Sequence, residues 1–133
     1  MPRRRGNRGG TPRVVNDIMK NAESILKMED IEKFVSLSET FGGYCAKNDI
    51  STSQIRGIFQ VVKRLPENYE ESKVDLNLLR PKLAYQTGRF DELKPLAMVI
   101  DALIKKVGND ETLKGFKEFF EAIIAYHKAY GGD

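Results

Sequence analysis

From Val14 to Tyr130 the apolar residues recur at helical spacing, and no run alternates with period two for long enough to make a strand. Val14, Val15, Ile18, Met19, Ala22, Ile25 and Leu26 fall on one helix face. Ile31, Phe34, Val35, Ser38, Phe41 and Cys45 continue the pattern in a second helix. Gly42 and Gly43 interrupt that stripe, so they mark either close packing against a neighbour or a bend. Lys47 to Ile50 reads as a turn. Ser51 and Gln54 form a capping-box start, opening a helix with Ile55, Ile58, Phe59, Val62 and Leu65, which Pro66 ends. Residues 66–74 read as a loop or helix entrance. Leu76, Leu79, Leu83 and Ala84 make a further stripe, closed at Gly88. Pro81 either starts a helix there or bends a longer one. Phe90, Leu93, Ala97, Ile100, Leu103, Ile104 and Val107 follow, with Gly108 as a C′ glycine. Asp110 reads as the N-cap of a last helix, which carries Leu113, Phe116, Phe119, Phe120, Ile123, Ile124 and Tyr130 and stops at Gly131-Gly132. The pattern predicts an all-α chain, a compact bundle of five to six helices joined by short loops.

A chain of 133 residues, 41% of them hydrophobic, suits one domain with one core. No run of about 18 apolar residues exists, so no membrane contact is expected. The lone cysteine, Cys45, excludes an internal disulfide and fits a reducing, cytoplasmic compartment. The charge is uneven. Five of the 22 Lys and Arg lie in residues 1–13, with no acid among them. The remaining residues hold 17 bases against 19 acids. We therefore expect a disordered Arg/Gly-rich tail over 1–13 and a nearly neutral helical-bundle domain over 14–133. The tail reads either as a phosphate-binding arm or as a solvated terminus.

The chemistry of catalysis is missing. There is no phosphate loop, no dinucleotide fingerprint and no nucleophile elbow. His127 is the single histidine and falls on the apolar face of the last helix, the place of a core-edge residue satisfied by one hydrogen bond. Cys45 reads as a small buried hydrophobe. Lys114–Glu118 and Lys117–Glu121 have the spacing of surface ion pairs. No metal site, no cofactor and no enzymatic activity are expected.

Three constellations remain. On the helix opened by Ser51, the residues Arg56, Gln60, Lys63 and Arg64 share an arc of about 100° opposite the apolar face, with no acid among them. That strip suits tracking a phosphate backbone, and its plainer reading is a solvated helix face. In Leu79–Arg89, Arg80, Lys82 and Arg89 again stand without acids, and Tyr85 either stacks on a base or caps the core. The third is the C-terminal AYHKAYGG, with Tyr126, His127, Lys128 and Tyr130.

The order TSQIR, then LRPKLAYQTGR, then FKEFFEAIIAYHKAYGG resembles the small subunit of type III-A (Csm) CRISPR effector complexes, over roughly residues 14–132. The resemblance implies a small helical protein without catalytic activity. Several copies would stack head to tail as an inner filament, beside backbone subunits that grip the guide RNA and a large subunit. They would line the channel where guide pairs with target RNA. Arg56 then matches an RNA-contact position, and Arg80 and Arg89 match the basic residues of the LRPKLAY block. Binding of this kind reads backbone and shape, since base pairing supplies specificity. The alternative is a helix-turn-helix DNA-binding regulator, with STSQIRGIFQVVKRL as recognition helix. A protein–protein adaptor without nucleic acid is the third class.

Overall fold

The computed structural model describes residues 11–133. The Arg/Gly tail expected over 1–13 lies outside the described residues as far as Gly10, and Arg13 opens the first of the described helices. The described chain is helical, without a strand. In order the elements are α1 (Arg13–Lys20), α2 (Ala22–Lys27), α3 (Ile31–Lys47), α4 (Thr52–Arg64), α5 (Tyr69–Arg89), a 3-10 turn (Asp91–Leu93), α6 (Lys94–Ile104) and α7 (Asp110–Ala129).

Among the described residues seven helices stand where five or six were expected, because the first stripe is split at Asn21. The Asn21 amide donates to the Asp17 carbonyl at 2.7 Å, so a side chain competes for the bonds that would carry the helix through. Met28 ends α2 in the left-handed region, φ 52°, with no glycine to signal it. Asp30 caps α3 through the Lys33 N–H.

Helix α7 is the axis of the bundle. It packs against α3, α2 and α4, while α6 packs against α5 and α1. Phe116, Phe119 and Phe120 fill the centre. Phe34 meets Phe119 edge-on at 5.2 Å, and Phe59 meets Phe120 at 5.3 Å. These pairs add to the area they bury, about 0.5–1.5 kcal/mol each. Ile31 and Val35, read as part of the α3 stripe, are exposed. The buried positions there are Phe34, Ser38, Phe41 and Cys45.

Two glycines allow helices to touch backbone to backbone. A Cβ on Gly42 would lie 2.7 Å from the Ile123 carbonyl oxygen, so the glycine pair in α3 is a close approach to α7, not a bend that ends the helix. Gly115 meets the Leu26 carbonyl even more closely.

Three sequence expectations are corrected in the second half. α5 runs unbroken from Tyr69 through Pro81 and Gly88 to Arg89. Pro81 lies on its exposed side, where the lost N–H bond is replaced most easily by water. Gly108 is not a C′ glycine: α6 ends at Ile104, and the Gly108 N–H donates to Thr112 Oγ1. The N-cap of α7 is Asn109, which accepts from the Thr112 N–H at 2.8 Å, while Asp110 accepts from the Tyr69 N–H and ties α7 to α5.

Candidate nucleic-acid interface

Helix α4 begins as its sequence dictates. Ser51 Oγ accepts from the Gln54 N–H, and Gln54 Oε1 accepts from the Ser51 N–H. Two tertiary contacts complete that end. Gln54 Nε2 donates to Glu92 at 3.0 Å, and the Thr52 N–H donates to the main-chain oxygen of Asp133 at 2.7 Å. At the other end Lys117 of α7 donates to the Leu65 carbonyl, satisfying an orphan acceptor after the last turn. Burial pulls the Lys117 ammonium below the usual lysine range. Between these clamps Ile55 and Val62 are buried, with Ile58 and Phe59 half-buried.

The opposite face points outward. Arg56, Gln60, Lys63 and Arg64 are all exposed, and none joins an ion pair among the described residues. From Arg56 to Arg64 the strip runs about 12 Å along the axis, roughly two phosphate spacings of a single strand. The strip has an uneven border, however. Lys63 lines an open groove of about 820 Å³ between α4 and α7, whose floor includes Phe59 and Leu113. Glu67, Asp110, Glu111, Glu118 and Glu121 stand around that groove and outnumber its two other cations, Lys114 and Lys117. Lys63 therefore has acids nearby that its own helix does not show, and Arg56, Gln60 and Arg64 are the less compromised phosphate donors. Neither expected pair, Lys114–Glu118 or Lys117–Glu121, forms among the described residues, and Lys117 turns to Leu65 instead.

The cations of Leu79–Arg89 do not make one patch. At about 100° per residue Lys82 and Arg89 share a side of α5, while Arg80 lies about 160–180° away. Arg80 is also not free of acids in space. Its Nε donates to Asp101 Oδ1 at 2.6 Å, and Lys105 reaches the other oxygen at 3.3 Å. Burial alone would raise the Asp101 carboxyl; the hydrogen bonds from Arg80 and Lys105 outweigh it and hold it below the usual range. Asp101 sits 21 residues beyond Arg80, outside any motif, so only the tertiary structure reveals the pair. The Arg89 guanidinium sits over the Phe90 ring at 5.1 Å. Lys82 is exposed, as is Tyr85 at 68%, which does not cap the core. The Gln54–Glu92 bond sets the Arg56 end of α4 beside the Arg89 end of α5.

The C-terminal constellation is structural. His127 is buried, and its Nε2 lies 2.7 Å from the Ile50 carbonyl. A carbonyl only accepts, so that nitrogen carries the proton. Gly131, at φ 89°, and Gly132 form a Schellman end. The Gly132 N–H donates to the His127 carbonyl and the Gly131 N–H to the Lys128 carbonyl. Gly132 lies on the His127 ring, where any Cβ would collide. Tyr130 donates to Glu39 at 2.5 Å.

The first turn of α4 is the part a recognition helix would insert into a groove. Here Glu92 engages the Gln54 side chain and Asp133 the Thr52 N–H, so two groups of that turn are already taken, which disfavours the DNA-regulator reading. Among the described residues no cluster of His, Cys, Asp and Glu could hold a metal ion, and no helix is long and apolar enough to cross a membrane.

Residues 16–133 match the family Csm2 Type III-A. A similar curated protein is the "CRISPR system Cms protein Csm2" of Streptococcus thermophilus. It is 34% identical, over 79% of this chain and 91% of that protein. No solved structure matches the chain.

Proposed function

This chain belongs to the Csm2 family of type III-A CRISPR systems, and on that premise we propose that it is a non-catalytic, RNA-contacting structural subunit of the type III-A ribonucleoprotein in the cytoplasm. Its helical body acts as one domain. It sits among backbone and large subunits, stacks with further copies of itself, and touches the guide and target RNA through phosphates, not bases. The observation that carries this reading is the outer face of α4, where Arg56, Gln60 and Arg64 are exposed and free of ion pairs among the described residues. Clamps at both ends hold that helix rigid, which keeps its cations in one line. Lys63 contributes at the acidic border. Of the second block, Lys82 and Arg89 are available to RNA, and Arg80 contributes only by breaking its pair with Asp101.

The test is RNA affinity of the assembled complex over a salt series. Arg56→Ala with Arg64→Ala should flatten the plot of log affinity against log salt by about 1.4, at about 0.7 per single-strand phosphate contact. The loss should not depend on RNA sequence. An unchanged slope refutes the α4 assignment.

A further inference from the structure

α5 is 21 residues long and apolar on two opposite sides. Its inner side buries Ser72, Leu76, Leu79 and Leu83. Diametrically opposite stand Val74, Leu78, Pro81 and Tyr85, at spacings i, i+4, i+7 and i+11. Val74 is 65% exposed, Leu78 48% and Tyr85 68%. Single exposed apolar residues need no explanation, but four in register along about 17 Å have the pattern of a packing seam.

The charges beside the seam identify what fits it. Along one edge, in chain order, come Glu71, Asp75, Lys82 and Arg89. The acids lie in the N-terminal half and the bases in the C-terminal half, and none of the four is in an ion pair among the described residues. In two antiparallel helices related by a twofold axis, the same edge of each faces itself. An axis between Leu79 and Arg80 sets Val74 of one copy against Tyr85 of the other, and Leu78 against Pro81. It also brings Asp75 to within about 3 Å of Lys82 along the axis, and Glu71 to within about 1.5 Å of Arg89, close enough for their side chains to meet, with every pair made twice. A parallel arrangement would put acid on acid.

We propose that the outward face of α5 pairs antiparallel with the same face of a second copy, forming a twofold dimer of the free protein. One helix face per copy makes an interface at the small end of specific contacts, so the pairing is reversible. It covers Lys82 and Arg89, and therefore excludes RNA contact by those two cations while it lasts. It also differs from head-to-tail stacking, in which two unlike surfaces meet.

The experiment is sedimentation velocity of the free protein over a concentration series. Asp75→Lys and Lys82→Asp each set like charges together twice per dimer, and each should weaken pairing about tenfold. The double variant should recover it. So should a one-to-one mixture of the two single variants, because each copy then meets its complement. All four positions lie on the exposed side, and circular dichroism checks that the fold is kept. A wild-type protein that stays monomeric throughout overturns the proposal. So does a double variant or mixture that pairs no better than the single variants. No RNA and no other subunit enters this experiment, so its outcome is separate from that of the salt series.

Discussion

Gly115 gives the sharpest check on the packing. It lies on α7 where that helix crosses α2, and a Cβ there would sit 1.8 Å from the Leu26 carbonyl oxygen and 2.6 Å from its carbon. Ordinary contact for a Cβ begins near 3.4 Å, so Gly115→Ala drives α2 away from α7 by more than an ångström. The obstacle is main chain and cannot rotate aside. α2 is only six residues long and holds Ala22, Ile25 and Leu26 in the core. Overpacking costs about 1–3 kcal/mol, and a backbone clash belongs at the upper end. Replacing glycine by alanine inside a helix returns about 1 kcal/mol. The net loss is about 2 kcal/mol, or about 6–10 °C in Tm for a domain of this size. Gly57→Ala is the control. It is the same chemical change in α4, with nothing within 4 Å of the added methyl, and it should stabilise by up to about 1 kcal/mol. Thermal and urea unfolding followed by far-UV circular dichroism measure both. The two substitutions must move stability in opposite directions. A Gly115→Ala variant as stable as the parent would refute the close approach of α2 and α7.

Cys45 is fully buried, and burial pushes its thiol up to about 12; a disulfide reagent at pH 8 should label it only at the rate of unfolding, and prompt labelling of the folded protein would contradict the burial. Asp101 tests the ion-pair cluster: its carboxyl is held low in the folded state, so it adds stability above the ordinary aspartate value of about 3.9 and loses it as pH falls through the folded value. Asp101→Asn should therefore cost at most about 1 kcal/mol at neutral pH, since the pair is partly exposed, and nothing in acid; denaturant titrations at both pH values decide it.

Much of this molecule was legible in its sequence. The helical period named the class, because a period of 3.6 cannot serve a strand and no other period is present. The same period placed His127 inside and Arg56, Gln60 and Arg64 outside, since both follow from rotation about one axis. The capping box at Ser51 was readable because its partners are three residues apart. The family was legible through three short blocks spread along the chain, and the match to residues 16–133 bears it out.

The tertiary structure decided whatever depends on a neighbour distant in sequence. Arg80 looked free until α6 brought Asp101 to it. Lys63 looked unopposed until α7 set four acids around the adjoining groove, with Glu67 of the loop after α4 as a fifth. The acceptor at the end of α4 is filled by Lys117, 52 residues onward, and the donor at its start by Asp133. Gly42 was read as either a bend or a contact, and only the position of Ile123 across the crossing made it a contact. Periodicity reports the direction of a side chain relative to its own helix and nothing of what stands opposite. The chain's class and its inner and outer faces were therefore fixed locally, while the pairing of its charges and the closeness of its helices were fixed by which faces meet.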